Sequence, residues 1–231
     1  MPSFSWPERI PRSRGKVVLM VAAALLVLLV GAGVVLWTQP VLKVSAVEVT
    51  GTHHLQPTQV QEASGLTEGQ NLVRVDESAA ATAVAQLEWV ESVTVARSLP
   101  STVHIEVTEH TPVLFTREQD QPLLIDNHGE AFAYGDPPEG TMEATGAGTK
   151  DPATMSALVE VVNAIDPGVR AQVASVSVPS QWELEFHLAD GRTVYWGSTE
   201  DTKDKALAMR AVLTREGQRW DISNPRLVAV R

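Results

Sequence analysis

The chain has 231 residues, 18 of them basic and 28 acidic, for a net charge of −10, and it contains no cysteine. Neither a disulfide framework nor thiolate chemistry is therefore available to it. The acidic balance is a poor match for nucleic acid or for an anionic lipid surface, both of which would repel it.

Val17 to Leu36 is a run of twenty residues without a charge. A helix of that length spans about 30 Å, the thickness of a bilayer's hydrocarbon core. Arg9, Arg12, Arg14 and Lys16 precede it, whereas beyond it the first charge is Lys43. The positive-inside rule then places residues 1–16 in the cytoplasm and the C-terminal part outside the cell membrane. Trp37 closes a transmembrane helix over 17–37 where an interfacial aromatic anchor is expected. A cleaved signal peptide is the competing reading, but its apolar core runs to only about 7–15 residues. The first 38 residues carry +3, so the remainder carries −13. That remainder is long enough for one large domain or two small ones.

After a linker over 38–43, Val44 to Val49 alternates and ends at Gly51, which reads as a strand. Pro57 to Ala63 reads as a helix with Pro57 in its first turn and Gly65 as its stop. Asp76 is a candidate N-cap for a second helix running to Leu87, in which Ala80, Val84 and Leu87 share a face. Val93 and Val95, then Val103, Ile105 and Val107, alternate on either side of a Leu99-Pro100-Ser101 turn. The order strand, helix, helix, strand, strand predicts an α+β module with both helices on one face of the sheet. Val103, Ile105 and Val107 go beneath the helices, while His104, Glu106 and Thr108 face water.

From Thr111-Pro112 onward the apolar runs shorten: Val113–Phe115, Leu123–Ile125 and Ala131–Tyr134. Gly135 to Lys150, with four glycines and two prolines, reads as an exposed loop. A helix follows over Pro152 to Ile165, then strands over Val173–Val178 and Trp182–Leu188. Asp190-Gly191 is a hairpin turn into Thr193–Trp196. Thr199 to Arg215 reads as a helix capped by Thr199 or Asp201, with Leu207, Arg210 and Leu213 spaced by three. The chain finishes in extended sequence around Trp220 to Ser223 and Leu227 to Val230.

None of the polar groupings makes a catalytic or metal constellation. His53-His54 are neighbours whose rings point apart, and His104 with Glu106 offers two ligands where zinc needs more. Glu109-His110 belongs with the same polar outer face. Gly140, Gly146, Gly148 and Lys150 miss the spacing of a phosphate loop. Asp126 and Glu130 flank a tight turn, where carboxylates solvate the loop. Trp182 and Trp196, on the two arms of one hairpin, form either a carbohydrate platform or, more economically, a cross-strand core pair. The terminal β segment is a different case. Asp221, Arg226 and Arg231 are the only charges guarding Ile222, Leu227, Val228 and Val230, and a terminal strand at a sheet edge invites another chain. The plainer alternative is a strand paired within the sheet or a loosely held tail.

Taken in order, the phrases Val47-Glu48-Val49-Thr50-Gly51, Glu68-Gly69-Gln70-Asn71-Leu72, Trp89 to Arg97 with Leu99-Pro100, and Ile105 to Val113 resemble a POTRA domain. Leu124 to Phe132, Asp190 to Gly197, Lys203 to Leu213 and Asp221-Ile222-Ser223-Asn224-Pro225 resemble the β-domain that follows it in the FtsQ/DivIB family, in its actinobacterial form. The resemblance implies a POTRA domain over 44–111 and a mixed α/β β-domain with a C-terminal edge strand over 112–231. It implies a non-enzymatic, single-pass scaffold of the divisome at the septum, joining FtsB and FtsL to control septal cell-wall synthesis, without cofactor or metal. In that family the last strands accept FtsB by strand addition. This carries a partner-binding role onto Trp220, Asp221, Ile222, Ser223, Asn224, Leu227, Val228 and Val230. Proteobacterial members have an arginine shortly before the position of Trp182 and an arginine with a tyrosine in the last strand. This chain has Ser180-Gln181 and Ser223-Asn224 there, which leaves strand addition, a main-chain interaction, as the transferable part. Competing readings are a membrane-anchored cell-wall enzyme, which lacks a catalytic constellation, and a POTRA-bearing transport factor, which lacks tandem modules or a barrel.

Overall fold

The computed structural model describes residues 12–38 and 42–230. Arg9 and Arg231, and the side chains of Arg12, Arg14 and Trp37, lie outside the described residues. Helix α1 (Arg12–Thr38) contains one stretch, Lys16–Val35, with a mean hydropathy of 2.9, long and apolar enough to cross a membrane. Its side chains from Lys16 to Val35 are exposed all round, as in a helix whose solvent is lipid.

The rest of the chain divides into two compact units, one formed by residues through Leu87 with Ser92–Val107 and one by Glu88–Glu91 with Thr108 onward. In the first, β1 (Ala46–Thr50), α2 (Pro57–Ser64), α3 (Glu77–Val84), β2 (Val90–Ser98) and β3 (Thr102–Glu109) follow the expected α+β order. The sheet runs β1-β3-β2, with β1 parallel to β3 in the register Ala46↔Thr102 to Thr50↔Glu106. Parallel pairing needs a long crossover, and α2 and α3 lie within it. Val103, Ile105 and Val107 are buried, and so are Val60 of α2 and Ala80 and Val84 of α3. Pro57 occupies the first turn of α2, and Gly65 ends it at φ 67°. Asp76 caps α3 by accepting from the Ala79 N–H at 3.0 Å. That helix stops at Val84, a turn short of the expected Leu87.

Gly51 follows β1 at φ 82°, and a β-carbon there would collide with the Val107 carbonyl oxygen. Both the left-handed backbone and the contact exclude a side chain. Gly51→Ala is expected to destabilise the unit by at least the strain of such a residue, about 1–3 kcal/mol, read as a lowered Tm by circular dichroism.

The second unit is built on a nine-stranded sheet among the described residues, in the order β12-β11-β10-β9-β8-β7-β4-β5-β6. These strands are β4 (Pro112–Glu118), β5 (Gln121–Asp126), β6 (Ala131–Tyr134), β7 (Met142–Thr145), β8 (Val173–Ser180), β9 (Glu183–Leu188), β10 (Thr193–Gly197), β11 (Arg219–Asp221) and β12 (Ala229–Val230). Helices α4 (Pro152–Ala164), α5 (Pro167–Arg170) and α6 (Thr202–Leu213) complete it. Leu158 and Val162 of α4 and Met209 and Val212 of α6 share one core with Leu184, Phe186, Val194 and Trp196 of the strands.

Four expectations change here. The Gly135–Lys150 stretch is not merely a loop: β7 sits inside the sheet between β4 and β8, with Met142 and Ala144 buried. Trp182 does not pair with Trp196; it is 58% exposed, while Trp196 is buried edge-on to Phe186 with centroids 5.5 Å apart. Asp201 precedes α6 in a left-handed conformation without a side-chain cap bond. The buried face of α6 is Lys205, Met209 and Val212, leaving Leu207 66% exposed.

Candidate partner-binding edge

The sheet's C-terminal end is made by β10, β11 and β12. β11 pairs parallel with β10 (Thr193↔Arg219, Val194↔Trp220, Tyr195↔Asp221), the crossover being supplied by α6. β12 pairs antiparallel with β11 (Trp220↔Val230, Asp221↔Ala229) and is the outermost strand. The Ile222 N–H continues the inner ladder by donating to the Tyr195 carbonyl at 2.9 Å.

Polar side chains turn the chain between β11 and β12. Asp221 Oδ1 accepts from the Ser223 N–H at 3.1 Å and from its hydroxyl at 2.7 Å. Asn224 Oδ1 accepts from the Arg226 N–H at 3.1 Å, and the Asn224 carbonyl accepts from the Leu227 N–H at 3.0 Å. Asp and Asn favour such turns because their short side chains reach the backbone two residues on.

The eight positions drawn from the resemblance therefore separate by environment. Trp220 and Ile222 are buried in the main core, Val228 packs half-buried against it, and Asp221 is half-buried. The Trp220 indole leaves no room for a side chain at Gly217, whose β-carbon would lie 2.8 Å from it. Ser223, Asn224, Leu227 and Val230 are exposed, Leu227 by 75% and Val230 by 57%. Backing this end is Lys205, fully buried, whose Nζ donates to the Ser198 carbonyl at 2.9 Å. Burial pushes its pKa down, partly opposed by the negative charges of Asp201 and Glu200.

Elsewhere in this unit the sequence conceals one polar cluster. Asp126 is 1% exposed rather than solvating its turn, and His110 is 9% exposed rather than lying on an outer face. Asp126 Oδ2 accepts from His110 Nδ1 at 2.7 Å, while Oδ1 accepts from the His128 and Glu130 N–H groups at 2.9 and 2.8 Å. The His110 ring stacks on Phe132 at 4.6 Å, and Trp89 meets Phe132 edge-on at 5.2 Å. Burial alone would raise the Asp126 pKa, but the Glu130 N–H, the His110 ring and the His128 N–H outweigh it and hold the carboxyl below its ordinary value. The spacing of His110 and Asp126, sixteen residues apart, gives no local signal; only the tertiary pairing reveals them. Among the described residues no group of three or more His, Cys, Asp or Glu side chains is placed to hold a metal ion.

An apolar N-terminal helix followed by a POTRA-like unit and a β-unit with an open terminal edge defines a class of membrane-anchored POTRA protein. A family model of the FtsQ-type POTRA domain matches residues 42–110, and one of the C-terminal region of cell division protein FtsQ/DivIB matches residues 115–226. Over 219 residues the chain is 44% identical to the cell division protein FtsQ of Corynebacterium glutamicum, covering 94% of this chain and 99% of that one. It is 38% identical over 228 residues to the FtsQ of Mycolicibacterium smegmatis, covering 97% and 68%. A solved structure of the major extracytoplasmic domain of DivIB from Geobacillus stearothermophilus aligns with 47% of this chain and 98% of that one at 13% identity and a TM-score of 0.38, too distant to add to the fold assignment. The chain belongs to the FtsQ/DivIB family of bacterial cell division proteins.

Proposed function

We propose that this divisome protein works without catalysis, as a single-pass scaffold that receives an FtsB-type partner on β12 and, with FtsL, controls septal cell-wall synthesis. The observation that carries this reading is the outer edge of β12, the end of the nine-stranded sheet, with exposed Val230 on the strand and exposed Leu227 just before it. In a strand, the peptide groups that do not face the inner neighbour face outward and can bond an added strand. Exposed Leu227, Ser223 and Asn224 would then read the partner's side chains, while Trp220 and Ile222 hold the edge in place from within the core. The basic residues Arg9, Arg12, Arg14 and Lys16 support an N-terminus in the cytoplasm and both folded units outside the membrane.

The test is binding of a labelled peptide, the extracytoplasmic segment of the same organism's FtsB, to the full chain in nanodiscs. Deleting residues 224–231 is expected to abolish binding, because it removes β12. Binding that survives the deletion removes the site from this edge, and absence of binding to the intact chain removes FtsB as the partner.

A further inference from the structure

The end of the first unit where its chain arrives from α1 is fixed by backbone hydrogen bonds. The Leu42 carbonyl accepts from the Leu72 N–H at 2.9 Å, and Lys43 bridges Asn71. The Ser45 N–H donates to the Ser101 carbonyl at 2.7 Å, and Ala46 pairs with Thr102. The 3-10 turn Leu72–Arg74 and the turn 99–101 therefore lie beside the first residues of the unit. From Thr38, the last residue of α1, to Leu42 is four residues, which span at most about 14 Å fully extended. The polar headgroup region beyond the hydrocarbon is itself about 5–8 Å deep on each side. This end of the unit cannot stand far from a bilayer that α1 crosses.

Among the exposed cations Lys43, Arg74 and Arg97 it presents one large apolar side chain there. Leu99 is 74% exposed, and outside α1 it is the one large hydrophobic side chain of the first unit so exposed among the described residues. It borders an open hollow of about 310 Å³ lined by Leu72, Val73, Glu77, Arg97 and Leu99. The charges in this hollow are matched, since Arg97 holds Glu77 at 3.1 Å and also donates to the Val73 carbonyl at 3.2 Å. Lys43 is exposed nearby, with a long stem that can lie along apolar surface while its ammonium reaches phosphate. The acidity of the chain beyond residue 38 opposes attraction to anionic lipid from a distance, but a tether this short already supplies proximity.

We propose that the 99–101 turn docks into the outer-leaflet interface, with Leu99 at the boundary between headgroups and acyl chains. Its occupant is a phospholipid surface, and the contact fixes the unit's base against the membrane. The inference rests on α1 spanning the bilayer.

Because the chain has no cysteine, one introduced cysteine labels uniquely. The full chain bearing Ser101→Cys and an environment-sensitive dye would be placed in nanodiscs containing spin-labelled lipids. The expected result is a blue-shifted emission quenched by the lipid spin labels, with most of the quenching lost on adding Leu99→Asp. Glu106→Cys, five residues further along and opposite Thr50 at the end of β1, should remain unquenched, and Val27→Cys, inside α1, should be strongly quenched. A label at 101 that behaves like the one at 106 while the label at 27 is quenched overturns the docking. An unquenched label at 27 overturns the membrane-spanning reading and the docking with it.

Discussion

Replacing Trp220 with alanine is expected to cost about 3–5 kcal/mol, the range for emptying a large buried aromatic site. Trp220 is 5% exposed, sits in the common core with Trp196, Met209 and Ile222, and is the residue through which β11 meets both Val194 and Val230. Its removal loosens both neighbouring strands at once, so the edge should be lost with the packing. Trp220→Phe should be far milder, because the indole N–H is buried with no hydrogen-bond partner among the described residues and nothing polar is forfeited. Val230→Asp makes the opposite separation. Val230 is 57% exposed, so the fold should tolerate the change. Capture of the FtsB segment should weaken about tenfold or more, the equivalent of about 1.4 kcal/mol. Thermal unfolding and peptide binding measured on the same three variants distinguish a residue that builds the edge from one that touches a partner. Equal binding by Val230→Asp and the parent would remove Val230 from the proposed site.

Asp126→Ala should also be severe, at about 3–5 kcal/mol, because a buried carboxylate disappears and three donors lose their acceptor together. The donors are the His110 ring and the His128 and Glu130 N–H groups. Asp126→Asn keeps a carbonyl oxygen for the two backbone donors and should lose less. The acid side carries its own signature. The folded protein holds the Asp126 carboxyl below its ordinary value of 3.8, so the unfolded chain binds the proton first as pH falls. The stabilisation is then complete above about pH 4–5 and drains away as pH drops through the lowered folded value. Tm measured between pH 6 and pH 3 should fall more steeply in the parent than in Asp126→Asn. Parallel curves would mean that the carboxylate contributes nothing specific.

Alternation and punctuation made much of the fold legible. Val103, Ile105 and Val107 needed only their period of two, and Pro57, Gly65, Asp76 and Asp190-Gly191 marked ends for local reasons of backbone and capping. The sequence misled where tertiary context overrode a local signal. Met142 and Ala144 lie in a glycine- and proline-rich stretch whose composition argues for loop, yet they complete the sheet because β4 and β8 need a strand between them. On α6, the spacing of Leu207, Arg210 and Leu213 points to one face, but only Leu213 packs against the core; Leu207 stays exposed, and the core takes the aliphatic stem of Lys205 and satisfies its ammonium on Ser198. Trp182 looked like a partner for Trp196 because both flank one hairpin, but Phe186 stands in that place. Of the edge itself, the extended terminal sequence and its scarcity of charge were visible. That Trp220 and Ile222 face inward follows only from the parallel pairing of β11 with β10.

The brevity of β12 has a consequence for how the edge behaves in time. Two residues supply few ladder bonds, and opening a short peripheral element costs far less than unfolding the unit. Amides of β12 should exchange with solvent long before those of β9 or β10, and a docked partner strand should be recorded first as protection at 229–230. Part of the association energy then goes into holding β12 still, so changes that merely stiffen the 223–227 turn should raise affinity without adding a single intermolecular contact.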